Sequence, residues 1–318
     1  MTRQLSEIIL HVRLLQAPTG SVAGPELCAA VSEAGALGAL GLTWTEPETA
    51  REAIADVRAR TDAPFQVNFA LHFEPRSLDV ALDSGVPVIT FSWGDAAPFT
   101  DRCHRAGAAV GVQVTSGEGA RRAVASGADF LIAQGSEAGG HVQATSSLDA
   151  LLPGVLALAG AVPVVAAGGI ATAGQVRRYL DAGAAAVMCG TRFVATQESR
   201  AHPEYKAALV AATADDTALT VCFDGGWPYA AHRVLRNRTL REWEAAGSPP
   251  VGRRPGEGDV LAHTTNGEPI YRYEDTAPRI GMTGRIEEMC LYAGTSVAHI
   301  RDLPTAAEVV ARLTAAGA

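Results

Sequence analysis

An imidazole closes a glycine-rich loop directly after a short apolar segment, a combination that is typical of a binding site. The loop is Gln134-Gly-Ser-Glu-Ala-Gly-Gly-His141, and residues 129–133 form the apolar segment. Glycines let a flat ligand approach the main chain closely, and an imidazole can take or give a proton near physiological pH. His141 is therefore a candidate acid or base, although a loop histidine bonded to a main-chain carbonyl explains the same pattern equally well.

Two further apolar segments also end in glycine. Residues 162–167 run into Gly168-Gly169, and residues 185–189 run into Gly190-Thr191. Barrels commonly hold a phosphate at the ends of their last two strands, where main-chain N–H groups and a helix N-terminus point at it. Either pair alone is explained by a tight turn, but two pairs on successive strands favour a phosphate-bearing ligand.

Other polar and aromatic residues follow the apolar segments. Asn68 and Gln134 each end one of them, where an amide can meet the edge of a ring ligand or be satisfied within the core. Glu137 is a candidate acid, but a carboxylate in a tight loop more often caps main-chain N–H groups. Trp93 is expected either to wall a pocket or to pack.

The elements that must position these residues alternate regularly. Segments with helical spacing, several of them followed by glycine, separate short apolar runs, which implies parallel strands joined by crossover helices. Eight runs predict an α/β fold of the (β/α)8 TIM-barrel type. An open doubly wound sheet is the alternative, and it lacks support because no glycine-rich dinucleotide turn follows the first run. The runs are residues 14–17, 37–42, 65–69, 87–91, 109–114, 129–133, 162–167 and 185–189, and the main helical segments are 25–34, 46–60, 119–126 and 172–182.

The alternation breaks after the eighth strand. Helical spacing is present over residues 204–213 and 228–246, and a Pro/Gly-rich stretch follows. We predict an inserted, mostly helical cap or substrate region at the barrel mouth, followed by helices over 288–297 and 305–316 that return to the barrel wall. The predicted division is 1–201 with 290–318 for the barrel and 202–289 for the cap.

Composition excludes several classes of protein. The chain has 318 residues, 47% of them hydrophobic, a formal net charge of -8 and one lysine, Lys206. Nucleic acids and anionic membrane surfaces require clustered basic residues. The five cysteines form no CxxC pair and no HExxH motif occurs, so neither a disulfide framework nor a metal site is expected.

Targeting signals are also missing from the sequence pattern. Arg3, Glu7 and His11 interrupt the start of the chain, and no stretch reaches the 18 apolar residues of a membrane span. We therefore expect a cytoplasmic protein with a small-molecule substrate. The oligomeric state stays open, with an apolar region after the barrel that is compatible with a homodimer.

Taken as an ordered set, these motifs resemble the nitronate monooxygenases, once called 2-nitropropane dioxygenases. The loop that ends in His141 looks like the signature loop of that family. The supporting segments, which cover most of the chain, are Gln16-Ala-Pro-Thr-Gly20, Pro64-Phe-Gln-Val-Asn68, Ala166-Ala-Gly-Gly-Ile170, Gly190-Thr-Arg-Phe193 and His202-Pro-Glu-Tyr-Lys206.

The resemblance implies an FMN-dependent barrel in which a nitronate reduces the flavin, O2 reoxidises it, and a carbonyl compound and nitrite result. FMN would supply the electron chemistry while the protein supplies position and proton handling. His141 is the implied catalytic residue, which deprotonates a neutral nitroalkane or orients the nitro group. The implied flavin contacts are Asn68, Gln134, Gly139, Gly168, Gly169, Met188, Cys189, Gly190 and Thr191.

Three departures from the family pattern leave the physiological substrate open. Thr19 stands where the family usually has Met, Met188-Cys189 replaces Gln-Met, and Val142-Gln143 replaces Arg-Gly. The main alternative is an NAD(P)H-dependent FMN reductase of a quinone or an enoyl thioester, because type II enoyl-ACP reductases share the barrel and a Glu-Ala-Gly-Gly-His loop. A non-catalytic flavin- or phosphate-binding protein is the third hypothesis.

Overall fold

Eight parallel strands form one curled sheet in the computed structural model, which describes residues 12–315. A ninth, two-residue strand, β7, lies outside this sheet. In chain order the strands are β1 (Leu14–Gln16), β2 (Gly38–Gly41), β3 (Phe65–Ala70), β4 (Val88–Ser92), β5 (Ala109–Val114), β6 (Phe130–Gln134), β7 (Gly140–His141), β8 (Val164–Ala167) and β9 (Ala186–Cys189).

The sheet closes into the predicted barrel. Its strands neighbour one another in the order β1-β9-β8-β6-β5-β4-β3-β2, so the two ends of the sheet are β1 and β2. These ends meet where the Gln16 N–H donates to the Leu37 carbonyl at 2.9 Å and the Leu37 N–H donates to the Leu14 carbonyl at 3.0 Å. All eight predicted strands are confirmed, each with bounds within two residues of those expected.

Helices follow most strands and pack on the outside of the barrel. Capping explains where they begin and end: in α7, the Thr172 hydroxyl accepts the Gln175 N–H at 3.2 Å, and Gly183 follows the last turn with φ +105°. The helices are α1 (Pro25–Glu33), α2 (Pro47–Arg60), α3 (Leu78–Asp83), α4 (Ala97–Arg105), α5 (Gly117–Ala125), α6 (Leu148–Ala159), α7 (Ala173–Asp181), α8 (Thr191–Val194), α9 (Pro203–Ala211), α10 (Arg238–Ala245) and α11 (Ala306–Thr314).

The barrel interior is apolar at one end and polar toward the ends of β1 and β3. Leu15, Phe130 and Val165 are fully buried inside. Gln16 is also fully buried, and its amide is satisfied by both main-chain groups of Ala39, at 3.1 and 3.2 Å. Buried amides need such partners because an unsatisfied polar group costs about 1–3 kcal/mol.

Residues 202–289 are mixed rather than mostly helical, which corrects the sequence prediction. Alongside α9 and α10 they contain five short strands, and the predicted helix over 228–246 begins only at Arg238. Residues 232–235 are extended because they pair with two other strands, and pairing overrides local helical spacing. The strands are β10 (Thr217–Thr220), β11 (His232–Leu235), β12 (Val260–His263), β13 (Pro269–Tyr271) and β14 (Thr283–Gly284).

The predicted helix over residues 288–297 is also wrong. This segment holds only the ends of two 3-10 turns, Ile286–Glu288 and Thr295–His299, and between them Tyr292 bridges to Val234. The final predicted helix, 305–316, is present as α11 with Thr305 as its N-cap, although residue 316 and the N-terminal residues Arg3, Glu7 and His11 lie outside the described residues. The limits of the predicted cap, 202–289, stay a prediction.

A buried ion pair joins the parts of the region after the barrel. Arg272 donates to Glu288 at 2.7 Å and to Glu242 at 3.2 Å, and the Arg272 side chain is 2% exposed. Removing one partner of such a pair leaves an uncompensated buried charge. Within residues 12–315, no helix is both long and apolar enough to span a membrane.

The close approach of β2 to α1 yields a stability prediction. A Cβ at Gly38 would lie 2.0 Å from the Cys28 carbonyl oxygen, whereas a Cβ at Gly174, in α7, would meet nothing within 4 Å. We expect Gly38→Ala to lower the free energy of unfolding by about 2–4 kcal/mol through overpacking. Gly174→Ala should raise it by about 0.5–1 kcal/mol. Urea unfolding of both variants measures the difference, and an equal effect of the two would contradict the packing described.

Candidate active site

His141 belongs to the short strand β7, which is fixed by pairing with a strand from the region after the barrel. Strand β7 pairs antiparallel with β11, so that His141 faces His232 and Gly140 faces Arg233. The Val142 N–H extends the pairing by donating to the Ala231 carbonyl at 2.8 Å. The loop after β6 is therefore part of the three-stranded sheet β10-β11-β7, and its backbone is fixed by hydrogen bonds to residues about 90 positions later in the chain.

Further contacts fix the rest of the loop. Arg233 Nε donates to the Ser136 carbonyl at 3.0 Å, and the Glu137 carbonyl accepts the Thr295 N–H at 3.0 Å. The predicted capping role of Glu137 is confirmed, because its carboxylate accepts the N–H of Leu148, the first residue of α6, at 2.9 Å. This leaves His141 as the ionisable side chain of the loop that is not committed to a cap.

Gly139 is required by packing. A Cβ there would lie 2.4 Å from the Gly294 main-chain nitrogen and 2.7 Å from the Ala293 carbonyl carbon. The sequence suggested that the glycines of the loop allow a ligand to approach the main chain. At Gly139 the structure shows instead that the segment Ala293–Gly294 lies against the main chain.

Aromatic rings enclose His141. Its ring centroid lies 4.5 Å from that of Trp227, 5.5 Å from that of Tyr292 and 6.1 Å from that of Trp93. Trp93 and Trp227 also contact each other at 4.5 Å, and Trp44 contacts Trp227 at 6.2 Å. Three of the four tryptophans in the chain thus meet at one place, and the enclosure restricts water around the imidazole.

The imidazole of His141 is an unpaired base. Its Nε2 is buried and has no hydrogen-bond partner within the described part of the chain. Burial, followed by the proximity of His232, lowers the pKa of His141 to about 3. The ring is therefore neutral at physiological pH, and a neutral imidazole can accept a proton but cannot attract an anion by charge.

His232 is neutral for a structural reason. Its Nδ1 donates to the Ala230 carbonyl at 2.9 Å, and its Nε2 accepts the Phe223 N–H at 3.2 Å. Protonation of Nε2 would bring its N–H against the N–H of Phe223, which is unfavourable. Burial also lowers the pKa of His232. His232 is fully buried in β11.

The ends of β8 and β9 offer unpaired main-chain donors. Within residues 12–315, the N–H groups of Gly168, Gly169, Gly190 and Thr191 donate to no protein acceptor. Gly168 and Gly169 have φ values of +115° and +72°, which favour glycine. Clustered free N–H groups in such a concave turn are typical of an anion site.

Two hydroxyls lie at the same strand ends. The Thr19 hydroxyl is buried without a partner, and its methyl group would lie 3.5 Å from a Cβ placed on Gly190. The Thr191 hydroxyl accepts the Gly294 N–H at 3.0 Å. A buried hydroxyl without a partner is costly, so a polar ligand at this position would satisfy Thr19.

The two predicted amides lie on the barrel rim. Asn68 Nδ2 donates to the Thr90 carbonyl and hydroxyl, each at 3.1 Å, and Gln134 Oε1 accepts from Gln113 Nε2 at 3.2 Å. These bonds leave the Asn68 oxygen and the Gln134 amide nitrogen without partners among the described residues. Each amide thus keeps one edge for a ligand.

Met188 and Cys189 point in opposite directions. The Met188 side chain packs with the residues inside the barrel, and Cys189 packs in the outer layer between barrel and helices. Burial raises the pKa of the Cys189 thiol to about 12, so the thiol is unreactive. Any ligand contact of Cys189 would be made by its main chain.

One pocket lies beside the barrel mouth rather than above β8 and β9. Its volume is about 340 Å³, and it is bounded by the residues after β4, the end of β5 and one side of α5. Trp93 and Gln143 form its border with the surroundings of His141. Trp93 therefore walls a pocket, as one of the two sequence interpretations expected.

Sequence reasoning missed Trp227, His232 and Tyr292 as neighbours of His141. All three follow the eighth barrel strand, where no strand–helix alternation indicates which residues return to the barrel mouth. Their one detectable signal was residue type, because large aromatic residues are scarce in this chain, at 6%.

Comparison with known proteins shows close similarity to one family. The family model for nitronate monooxygenase matches residues 2–74 and 73–316. A nitronate monooxygenase from Pseudomonas aeruginosa is 34% identical, with 79% of this chain and 84% of the relative covered.

Solved structures agree with this result. A nitroalkane oxidase from Streptomyces ansochromogenes is 31% identical and superposes with a TM-score of 0.79, covering 98% of this chain and 97% of the other. FabK from Thermotoga maritima is 29% identical with a TM-score of 0.81, covering 98% and 95%.

The enclosure of His141 generates a prediction about its charge. Because burial lowers its pKa to about 3, the ring should remain neutral as the pH falls from 8 to 5 and should take up a proton only below that range. Nitrogen NMR shifts of the histidine rings report this directly, with His141→Gln assigning the signal and the exposed ring of His263 as reference. A shift of the His141 nitrogens to imidazolium values between pH 7 and 5 would contradict the described environment.

Proposed function

The chain belongs to the nitronate monooxygenase family, and on that premise we propose that this oxidoreductase uses FMN and O2 to convert alkyl nitronates to a carbonyl compound and nitrite. One observation carries the proposal: a buried, unpaired imidazole, His141, lies within an aromatic enclosure beside strand ends that offer unpaired N–H groups. A flavin-dependent carbon-acid oxidation needs a group that accepts the substrate proton and a site that holds the cofactor, and these two features supply one of each.

The residues at the barrel mouth fit FMN. The free N–H groups of Gly168, Gly169, Gly190 and Thr191 would hold its phosphate, and the unpaired hydroxyl of Thr19 would find a partner there. The free edges of Asn68 and Gln134 suit the polar edge of a ring. Met188, Cys189 and Gly139 complete the contacts that the family resemblance implies.

Bound FMN would accept the electrons of the substrate and pass them to O2. The protein residues would handle position and protons. His141 Nε2, neutral and without a competing partner, would remove the proton from the carbon beside the nitro group of a neutral nitroalkane. Contacts with the surrounding rings and the ring edge of His141 would orient a nitronate.

The aromatic enclosure would protect the reaction from water. Trp227 is 3% exposed and lies over His141, while Trp93 closes the side toward β4. Excluding water strengthens every electrostatic interaction inside a site and limits side reactions. O2 is small and apolar and can enter where water is disfavoured.

A second candidate is an NAD(P)H-dependent FMN reductase that acts on a quinone or an enoyl thioester. The structural match to FabK, with a TM-score of 0.81 over 98% of the chain, favours keeping it. Both candidates use the same cradle and the same His141, so the source of electrons separates them.

Anaerobic mixing decides between the two electron donors. We expect propyl-2-nitronate to bleach the flavin absorbance of the FMN-loaded protein in a stopped-flow experiment, and NADH and NADPH to leave it unchanged. Bleaching by a nicotinamide alone would replace the proposal by the reductase. If the purified protein bound no flavin after incubation with FMN, both candidate functions would be refuted.

Replacing His141 tests its role as a base. We expect His141→Ala to lower kcat/KM for neutral nitroethane by about 10²–10⁴-fold, the usual contribution of a general base. The preformed nitronate should lose much less, because its proton has already gone. Flavin absorbance must show unchanged FMN content, and the exposed residue His263 supplies the matched control, His263→Ala. Full turnover of nitroethane by His141→Ala with bound FMN would refute the assigned role.

A further inference from the structure

The pocket beside Trp93, which we call the side pocket, is large enough to hold part of a ligand. Its volume of about 340 Å³ falls in the range of small-molecule sites. Trp93 and Asp95 border it after β4, Thr115 borders it after β5, and Arg122 and Ala123 border it on α5. The proposed oxidation of a short alkyl nitronate makes no use of this space.

The side pocket is adjacent to the catalytic imidazole. The Trp93 ring lines the pocket and lies 6.1 Å, centroid to centroid, from the ring of His141. Gln143, two residues after His141, also lines the pocket. A substrate whose reacting carbon lies at His141 therefore needs to extend past the Trp93 ring to enter the side pocket.

Trp93 is held in an unusual conformation at this border. Its φ is +59°, in the left-handed region that bulky residues rarely adopt. Such a conformation costs on the order of 1–3 kcal/mol, and it is found where the surrounding structure requires a particular side-chain direction. Here that direction places the indole between the side pocket and the aromatic enclosure.

The lining of the side pocket is polar without excess charge. The Trp93 indole, the Gln143 amide and the Thr115 hydroxyl line the pocket, which provides both hydrogen-bond donors and acceptors. Arg122 and Asp95 contribute one charge of each sign, and Arg122 lies 3.8 Å from Glu118. Asp95 and the Glu118 partner of Arg122 disfavour an anionic group here, and a plain hydrocarbon would leave the polar groups without partners.

We propose that the side pocket binds a neutral, hydrogen-bonding arm of the substrate, an amide or a hydroxyl group, while the carbon acid of the same molecule lies at His141. This inference rests on the proposed function and specifies its substrate class. The substrate is then longer than a simple alkyl nitronate, with its polar group separated from the reacting carbon by about the 6.1 Å between the two rings.

Two nitronates of equal chain length test the inference by turnover. One is the nitronate of N-methyl-6-nitrohexanamide, and the other is that of 1-nitrooctane, which lacks the amide. One or two well-formed hydrogen bonds should raise kcat/KM for the amide-bearing nitronate to about tenfold the value for the nitronate of 1-nitrooctane. Equal kcat/KM values, or a preference for the octane, would overturn the inference while leaving nitronate oxidation itself intact.

Filling the side pocket should abolish the preference. Ala123 is 4% exposed and lines the pocket on α5, so Ala123→Phe would occupy the space. We expect the ratio of the two kcat/KM values to fall to about one, because a ratio cancels any general loss of activity. Thr115→Val removes a hydroxyl at nearly constant volume and should lower the ratio in part. Arg121→Gln, on the exposed face of the same helix and outside the pocket lining, is the matched control. An unchanged ratio in both pocket variants would also overturn the inference.

Direct binding separates failure of this inference from failure of the proposed function. N-methylhexanamide, which carries no nitro group, is added to the FMN-loaded protein and followed by saturation-transfer NMR. Its signal should appear with the wild-type protein and weaken strongly with Ala123→Phe, whether or not any nitronate is turned over. Absence of the signal with the wild-type protein, or equal signals with both proteins, would refute the side pocket as a binding site.

Discussion

The pairing of β7 with β11 is the interaction on which the rest of the site depends. A glycine-rich loop has little conformational preference of its own, because glycine loses more freedom on ordering than any other residue. Here two β-pairs, His141 with His232 and Gly140 with Arg233, supply the order. The Arg233 side chain then reaches back to the Ser136 carbonyl, so one residue fixes both ends of the loop. The barrel alone would leave His141 without a defined position.

The same pairing determines the electrostatic state of the site. It buries His141 beside a second imidazole that main-chain groups keep neutral, and it sets the ring against Trp227 and Tyr292. A buried imidazole in such surroundings resists protonation because its charged form loses hydration and gains no partner. The site therefore combines a neutral base with apolar walls, while the positive potential that an anionic group requires is provided separately by main-chain N–H groups at the ends of β8 and β9.

Function is thus divided between two parts of the chain. The barrel provides rigid strand ends, with unpaired main-chain N–H groups at the ends of β8 and β9 and the side pocket near β4 and β5. The later region provides Trp227, His232 and Tyr292, whose rings surround His141.

The sequence by itself determined the barrel, its eight strands and the loop that carries His141, because these depend on local periodicity and on glycine at turns. It also identified Glu137 as a cap and the glycines at the ends of β8 and β9. Only the tertiary structure decided the strand at His232–Leu235, the extended path through Tyr292 and the position of Trp227 over His141. The physical reason is range: these features depend on pairing and ring contacts between segments up to about 90 residues apart, such as His141 with His232, and no local pattern encodes a partner at that distance.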